Sequence, residues 1–387
     1  MREMKDSGVE WLGEVPAGWG VVPVKRVAVL KHGSDPKTAG DTPVYGSGQS
    51  AFKTCGEFKE GPSVLLGRKG TLNCPQYVEG RFWNVDTAFD VSMRSGNMAL
   101  KYFFYAISSV DIGDLSTNTA KPSMTQGAWC SVKLPNPPID EQRRIADCLD
   151  EKCVEIDRTI SAAEQSIEEY KAYRLSVISA KMPTGCITIP IKYLCDLLPG
   201  YAFESGKFVQ GNGVRLLRGI NVGVGETRWA DAAHYPEEDL DGLEAYALEP
   251  GDLVIGLDRP WIKDGLRASF ITESDLPCYL VQRVVRIRMS DNLEPRYLKY
   301  GLDSGILERS VASATTGISV PHISHLQIAN CKVPLPSLDE QCRIADYLDE
   351  KCVEIDRAID AKQAIVADLK TYKKSLIYET VTGKREV

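Results

Sequence analysis

The stretch Asp140–Arg158 reads DEQRRIADCLDEKCVEIDR, and it returns 199 residues later, over Asp339–Arg357, as DEQCRIADYLDEKCVEIDR. The two copies agree at 17 of 19 positions and differ only at the pairs 143/342 and 148/347. Agreement over this length indicates a duplication rather than chance. The chain is therefore divided into two variable bodies, each followed by the same segment.

A heptad pattern of apolar and small residues indicates that each copy begins a long helix. The first seam consists of Leu149, Cys153, Ile156, Ile160, Ala163, Ile167, Tyr170 and Val177, interrupted by Arg174. The second consists of Leu348, Cys352, Ile355, Ile359, Val366, Leu369 and Leu376, interrupted by Lys362 and Lys373. Acidic residues open both segments, where the free N–H groups of a helix start favour them.

Each helix can run for about 40 residues, or about 60 Å at 1.5 Å per residue. A helix with only a narrow apolar stripe is not stable alone in water, so it needs a partner. The simplest partner for each helix is the other, as a coiled coil, because the two seams match in length. The alternative is that each helix packs separately on the surface of its own body.

Length and composition predict a globular protein. The chain has 387 residues, enough for two or three domains with full cores. The first residues carry no apolar signal-peptide core, and no run of 18 apolar residues follows. We therefore expect a cytoplasmic protein without a membrane segment.

The cysteines, the histidines and the net charge limit the kinds of site that the chain can form. Eleven cysteines occur without a CxxC pair, which predicts reduced thiols rather than disulfides or zinc. His322 and His325, beside Pro321, are a weak candidate for a metal site. The net charge of −7 argues against a nucleic-acid binder, although residues 1–138 hold 15 Lys and Arg against 13 Asp and Glu. DNA binding would therefore require local basic patches.

The two bodies follow the same order of predicted elements. In the first, the extended segments are Thr42–Gln49, Ser63–Leu66 and Phe82–Val91, and the helix is Leu100–Ile107. In the second, the strands are Arg215–Leu217, Leu253–Ile255 and Gln282–Met289, the last with a basic face, and the helix is Tyr297–Leu307. A small polar loop precedes the exit strand in both bodies.

Five motifs occur in order along the chain. They are GVEWLG at Gly8–Gly13, PVYGSG at Pro43–Gly48, GRKG at Gly67–Gly70, EPGDL at Glu249–Leu253, and the paired P-x-x-x-E-Q-x-x-I-A segments. Each motif is weak alone, but the ordered and duplicated set covers essentially the whole chain. In this set the chain resembles the specificity subunit of a Type I restriction–modification enzyme.

The resemblance implies an α/β fold of the α+β type. Two similar mixed α/β target-recognition domains would be separated by two long helices that form an antiparallel coiled coil, in a pseudo-two-fold internal repeat. We place the first domain at 1–138, the first spacer helix at 139–182, the second domain at 183–337 and the second spacer helix at 338–387. Each domain would bind one half of a bipartite double-stranded DNA target.

The resemblance also implies that the chain is not catalytic. Two methyltransferase (modification) subunits would dock on it, and a restriction–translocase subunit would join them, with no membrane involved. We expect no cofactor in this chain, because S-adenosylmethionine, ATP and Mg would belong to the partner subunits. The helix pair would set the half-site spacing, since about 60 Å compares with about 34–36 Å per DNA turn.

The residues agree with a non-catalytic chain. The run Asn136–Ile139 (NPPI) resembles the NPP-aromatic motif of amino-methyltransferases, but it lacks the aromatic ring that holds a flipped base. The run Gly219–Gly225 lacks the GK[ST] of a phosphate-binding loop. The alternative function is a scaffold that assembles other proteins without binding DNA, which the acidic balance favours.

Basic, amide and hydroxyl groups in glycine-rich or small polar loops are the candidates for DNA contacts. In the first body they are Gln49, Lys53, Arg68, Lys69, Thr71, Thr117, Asn118, Thr119 and Lys121. In the second they are Tyr201, Arg218, Asn221, Arg259, Lys263, Thr315, Thr316 and Ser319. The competing interpretation is an ordinary solvated loop residue, and it is favoured for Lys53, Lys263 and Tyr201.

Overall fold

The computed structural model describes residues 2–94, 96, 98–113, 122–209, 211, 213–312 and 322–387. The chain forms two compact units. The first consists of Met1–Gln165 with Lys362–Val387, and the second of Ser166–Ala361. Each unit therefore contains one body together with a part of both long helices.

The first body has the short helices α1 (Val24–Val27), α2 (Leu100–Ser108) and α3 (Gln126–Ser131), and the long helix α4 (Ile139–Lys181) follows them. Those that follow are α5 (Pro295–Asp303), α6 (Ile306–Ala312), α7 (His325–Asn330) and the long α8 (Leu338–Val381). The two predicted long helices thus each begin one residue before the repeated segment.

The strands are short in both bodies. In the first they are β1 (Met4–Asp6), β2 (Glu14–Pro16), β3 (Gly20–Pro23), β4 (Ala28–His32), β5 (Thr42–Tyr45), β6 (Lys53–Cys55), β7 (Lys59–Glu60), β8 (Ser63–Gly67), β9 (Gln76–Val78), β10 (Arg81–Asn84), β11 (Ala88–Met93) and β12 (Lys133–Asn136). In the second they are β13 (Thr188–Pro190), β14 (Cys195–Pro199), β15 (Val214–Leu217), β16 (Ala233–Tyr235), β17 (Leu253–Gly256), β18 (Trp261–Ile262), β19 (Gly265–Leu266), β20 (Ala268–Phe270), β21 (Cys278–Leu280), β22 (Val284–Met289) and β23 (Lys332–Pro334).

Both bodies are built on the same sheets. A four-stranded antiparallel sheet has the order β4-β11-β8-β9 in the first and β14-β22-β17-β20 in the second. A second sheet contains a parallel pair, β5 with β10 in the first and β15 with β21 in the second. A two-stranded ribbon joins the entry and exit strands of each body, β3 with β12 and β13 with β23. The predicted mixed α/β fold with an internal repeat is therefore confirmed.

The four-stranded sheet of the second body has a buried cluster on each face, since Leu253 and Ile255 of β17 lie in one cluster and Val254 in another. Every residue of β8 and of β17 is buried, as expected for a short apolar strand whose sheet is covered on both faces. The largest buried cluster of the second unit comprises residues of this sheet, of α5–α7, and Ile178, Met182, Ile344, Leu348 and Cys352 of the long helices. The helix segments are thus part of the core and do not merely adjoin it.

The long helices pair antiparallel within each unit. In the first unit, Lys373 Nζ lies 2.7 Å from Asp157 Oδ2, and Lys370 Nζ lies 2.9 Å from Glu164 Oε1. Residue numbers fall along α8 as they rise along α4, which defines an antiparallel pair. The predicted pairing is confirmed, and each helix also packs on a body, as the alternative interpretation had it.

Two polar interruptions of the seams, Arg174 and Lys373, are related by the repeat. In the second unit, Arg174 Nε lies 3.2 Å from Asp356 Oδ1. Arg174 and Lys373 are 199 positions apart, and so are their partners Asp356 and Asp157. Arg174 and Lys373 therefore each meet a carboxylate of the repeated segment on the other helix, and equivalent ion pairs are formed in both units.

Two predicted elements are divided in the structure. The single strand expected over Phe82–Val91 forms β10 and β11, which lie in different sheets, because a turn closed by Ala88 N donating to Val85 O (3.0 Å) separates them. The single helix expected over Tyr297–Leu307 ends at Asp303 and restarts as α6, because Gly305 has a left-handed φ of +82°.

The predicted basic face of Gln282–Met289 is not an exposed surface. Arg286 is 5% exposed and forms an ion pair with Asp196 of the neighbouring strand. Arg288 Nε lies 2.7 Å from Asp252 Oδ1, which is buried. The alternating arginines therefore bind carboxylates within the sheet, and β22 is an inner strand between β14 and β17. None of the helices in the described part of the chain combines the length and apolar character that a membrane crossing requires.

Candidate nucleic-acid interface

Each unit holds a junction of three loops at the end of its central buried strand. In the first unit, Arg68 N, directly after β8, donates to Thr87 O at 2.8 Å. Met124 N donates to Arg68 O at 2.9 Å, and Gly70 N donates to Pro122 O at 3.0 Å. Residues 67–71, 86–87 and 122–124 therefore meet, and we call this set the first loop junction.

The second unit repeats two of these backbone contacts. Leu257 N, directly after β17, donates to Arg283 O at 2.8 Å, and Ile323 N donates to Leu257 O at 2.9 Å. Residues 256–260, 282–283 and 322–323 form the second loop junction. The strand registers make the two equivalent, because Gly67 pairs with Ala88 as Gly256 pairs with Val284.

The side chains of the two junctions differ. In the first, Arg68 forms an ion pair with Asp86 across the junction. In the second, the charges are exchanged between the loops, since Asp258 Oδ1 lies 3.1 Å from Arg283 Nη1 and 2.8 Å from His322 Nδ1. The same backbone frame therefore carries two different arrangements of hydrogen-bonding groups.

A glycine-rich loop adjoins the first junction. Gln76 Nε2 donates to Gly46 O at 2.8 Å, which holds the start of this loop. A Cβ atom at Gly46 would lie 2.9 Å from Thr87 Oγ1, and one at Gly70 would lie 3.3 Å from Ser47 Oγ. The loop that carries the exposed Gln49 is therefore in close contact with the junction that carries Arg68, Lys69 and Thr71.

Arg267 ties the loops of the second unit together. Its Nε donates to Val222 O at 3.0 Å, its Nη1 donates to Asp258 O at 2.9 Å, and its Nη2 donates to Gly219 O. Burial lowers the pKa of Arg267, and the nearby Arg228 lowers it further. Arg267 therefore joins the loop after β15 to the second junction within a positively charged environment.

Asn221 has a structural role in this assembly. It is 1% exposed, and its Oδ1 accepts from Arg218 N at 3.1 Å while its Nδ2 donates to Arg228 O at 2.7 Å. Both ends of the amide are thus used within the loop. In this conformation Asn221 holds the loop closed and presents no free group to a base.

The predicted contact residues fall into three groups. Those brought to the junctions or the loops beside them are Gln49, Arg68, Lys69, Thr71, Arg218, Asn221 and Arg259. Those engaged elsewhere are Lys53, whose Nζ lies 5.4 Å from the Phe52 ring, Lys263, which forms an ion pair with Glu168 of α4 at 3.3 Å, and Tyr201, whose ring packs on Phe203 and Tyr246. Those outside the described residues are Thr117, Asn118, Thr119, Lys121, Thr315, Thr316 and Ser319.

Matching side chains attach each body to the repeated segment. In the first unit, Tyr105 Oη donates to Asp150 Oδ1 at 2.7 Å, and Lys101 Nζ lies 2.7 Å from Asp150 Oδ2. In the second, Tyr300 Oη donates to Asp349 Oδ1 at 2.7 Å, and Arg296 Nη1 lies 2.5 Å from Asp349 Oδ2. Burial and the bond to the carboxylate raise the pKa of both tyrosines, so both stay protonated donors.

The glutamine of the repeated E-Q motif makes a second matched attachment. Gln142 Oε1 accepts from Ala99 N at 2.8 Å, and its Nε2 donates to Pro137 O at 2.9 Å and Asn136 Oδ1 at 3.1 Å. Gln341 Oε1 accepts from Glu294 N at 3.0 Å, and its Nε2 donates to Pro336 O at 3.0 Å. Both glutamines are 1% exposed. The motif thus fixes the body helix to the start of the long helix.

One face of each repeated segment is exposed and identical in the two copies. It consists of Glu151, Val154, Glu155 and Arg158 on α4, and of Glu350, Val353, Glu354 and Arg357 on α8. The spacing i, i+3, i+4, i+7 places each set on one side of its helix. Val154 and Val353 are 47% and 48% exposed, and each face lines a shallow concavity. We call these the repeated outer faces.

Sequence reasoning missed Arg267 and the tyrosines that attach the bodies. The tyrosines do have a sequence signal, because α2 and α5 share the pattern [KR]-Y-x-x-Y at Lys101–Tyr105 and Arg296–Tyr300. Arg267 has no comparable signal, since it lies in no glycine-rich or polar loop. Within the described residues, no cluster of His, Cys, Asp and Glu has the geometry of a metal site.

No protein-family model matches the chain. It is 26% identical over 346 residues to the Type I restriction enzyme MjaVIII specificity subunit of Methanocaldococcus jannaschii, with 84% of this chain and 76% of that protein covered. It is 36% identical over 171 residues to the Type I restriction enzyme EcoAI specificity subunit of Escherichia coli, with 44% of this chain and 29% of that protein covered.

Among solved structures, a chain from a type I restriction–modification system, determined to describe its complex assembly and conformational transition, matches with a TM-score of 0.71 and 18% identity. The match covers 95% of this chain and 98% of that chain, and at this identity it shows the fold. The resemblance drawn from the sequence motifs is confirmed, because the curated relatives are specificity subunits of Type I restriction enzymes.

Proposed function

We propose that this chain is the non-catalytic, sequence-reading subunit of a Type I restriction–modification enzyme. Each unit would bind one half of a bipartite double-stranded DNA target. Two methyltransferase subunits would dock on the helix pair, and a restriction–translocase subunit would join them. S-adenosylmethionine, ATP and Mg would be bound by those partners and not by this chain.

One contrast carries the proposal. The loop junctions share a backbone frame but differ in their side chains, whereas the repeated outer faces are identical residue by residue. Different side chains on one frame suit the recognition of two different base sequences, because base edges are distinguished by the pattern of donors and acceptors. Identical exposed faces suit one partner that binds twice.

The outer faces support the partner assignment because exposed residues are not held constant by packing. The bodies have diverged around their shared frame, so the exposed positions had the same opportunity to change. Glu151, Val154 and Glu155 nevertheless equal Glu350, Val353 and Glu354. An exposed valine between two carboxylates suits a partner surface that combines apolar and basic groups.

Selection from random duplexes tests the DNA-binding part of the proposal. The chain would be purified with its methyltransferase subunit and incubated with duplexes of random sequence, and the bound fraction would be sequenced. We expect two short conserved blocks separated by a spacer of fixed length and variable sequence. A complex that binds duplexes without such blocks would instead support the scaffold that assembles proteins without reading DNA.

Partner stoichiometry tests the docking part. We expect Glu151→Lys with Glu155→Lys to reduce the number of bound methyltransferase subunits from two to one, and Glu350→Lys with Glu354→Lys to do the same. The four changes together should abolish binding in native mass spectrometry. Asp360→Lys is the matched control, because Asp360 is exposed on α8 but Ser161 stands at the repeated position. Loss of both partners from either double variant would contradict two equivalent sites.

A further inference from the structure

Arg259 has a backbone conformation that is rare for its residue type. Its φ is +44°, in the left-handed region where side chains other than that of glycine are disfavoured. The strand registers align Arg259 with Gly70 of the first loop junction, where φ is +87°. The second unit thus places an arginine where the first unit has the residue that this conformation favours.

The surrounding contacts impose this conformation. On one side of Arg259, Arg267 Nη1 donates to Asp258 O at 2.9 Å, and on the other side Arg267 N donates to Pro260 O at 2.7 Å. Ile323 N also donates to Leu257 O at 2.9 Å. Strained residues persist only where their surroundings determine them in this way, and they concentrate at functional sites.

The Arg259 side chain is exposed, while the neighbouring side chains Asp258 and Arg267 are engaged in ion pairs and hydrogen bonds. Asp258 is bonded to Arg283 and His322, at 3.1 and 2.8 Å, and Arg267 is bonded to three carbonyl oxygens. The guanidinium of Arg259 is close enough to Arg267 to depress its pKa, as Arg228 also does. Arg228, Arg259, Arg267 and Arg283 outnumber the carboxylates of Asp258 and Glu226 here. Arg259 therefore projects from a fixed backbone at the edge of a cluster with net positive charge, as a polyanion site requires.

We propose that Arg259 recognises a guanine in the half-site bound by the second unit, and that the first unit, with Gly70 at this position, makes no equivalent contact. The inference rests on the proposed function. A contact to guanine O6 and N7 explains a strained, fixed backbone, because two parallel N–H···O/N bonds require a defined direction of approach.

Selection from random duplexes tests the assignment. The wild-type complex should enrich at least one invariant guanine in one of the two half-sites. Arg259→Gly should lose the preference at that position, with binding to the selected duplex weakened on the order of 10- to 100-fold, while the other half-site stays unchanged. Its thermal midpoint should be equal to or higher than that of the wild type, because glycine relieves the left-handed conformation.

Two further variants distinguish base recognition from general charge. Arg259→Lys keeps the charge but loses the paired donors, so the guanine preference should weaken while nonspecific binding is retained. Arg228→Gln is the matched control from the same cluster, and it should lower binding to all duplexes alike without altering any base preference.

Two results would overturn the inference while leaving the proposed function intact: an unchanged guanine preference in Arg259→Gly, or a bipartite wild-type target in which Arg259→Gly weakens every position equally. If the wild-type complex selects no bipartite sequence at all, the proposed function fails, and the inference fails with it.

Discussion

The first and second loop junctions share one backbone frame but carry different side chains. After the central strand the first unit has Arg68-Lys69-Gly70, and the second has Leu257-Asp258-Arg259. Arg68 and Leu257 make the same two backbone bonds to the neighbouring loops, yet the arginine and aspartate of the cross-junction ion pair have exchanged loops. The difference shows that backbone hydrogen bonds maintain the frame, so the side chains are free to differ.

The largest expected effect comes from changing what the two units share. Adding one heptad to 164–180 and one to 363–379 lengthens both helices by about 10 Å, or about three base pairs at 3.4 Å. Under the proposed function, binding to the original target should fall toward nonspecific affinity, a loss of about 4 kcal/mol or more. Repeated selection should return the same two half-sites with a longer spacer. An unchanged spacer would exclude the helices as the element that sets it.

Arg267→Ala should affect the second unit only. Removing the guanidinium leaves three carbonyl groups without their donor, at a cost of about 3 kcal/mol. Hydrogen exchange should accelerate in 219–222 and 257–260 and stay unchanged at 67–71, and recognition of one half-site should be lost. Faster exchange at the first junction as well would show that the two frames are not independent.

Arg68→Ala should affect the first unit only. We expect binding to weaken at one half-site by about 1–2 kcal/mol, which is the scale of a single base contact. The half-site affected must be the one that Arg267→Ala leaves intact. Equal loss at both half-sites in a footprint would contradict the assignment of one unit to each half.

The smallest effect is expected for the two equivalent ion pairs between the long helices. Asp157→Lys should destabilise the chain by about 0.5 kcal/mol, because exposed pairs contribute little, and Lys373→Asp in the same chain should restore stability. Asp356→Lys with Arg174→Asp should give the same result, measured as the denaturant midpoint at low salt. A swap that restores stability in one unit only would show that the two pairs are not equivalent.

The sequence allowed the prediction of the repeat, the long helices and the fold class. These depend on local periodicity and on identity between the copies. The seam interruptions Arg174 and Lys373 cannot be explained from the sequence alone, because their carboxylate partners follow only from the antiparallel register of the other helix. The position of Arg286 was likewise mispredicted, since alternation alone does not show that both neighbours of a strand are present.

The candidate site was predicted in part, and loop composition decides which part. Glycine-rich motifs located the region of Arg68, Lys69 and Arg259, because close contacts between loops need residues without side chains. Loop composition also selected Asn221, whose amide closes its own loop through hydrogen bonds. It omitted Arg267, which binds backbone oxygens distant in sequence. Tertiary contacts of this kind leave no local pattern.

The matched attachments of the two bodies have a consequence for modular exchange. A body meets the repeated segment through its [KR]-Y-x-x-Y helix and through the backbone N–H at the start of that helix, and these bind an aspartate and a glutamine present in both copies. A body moved to the other position would find the same partners. Under the proposed function, the transfer of a whole body would therefore be enough to create a new combination of half-sites.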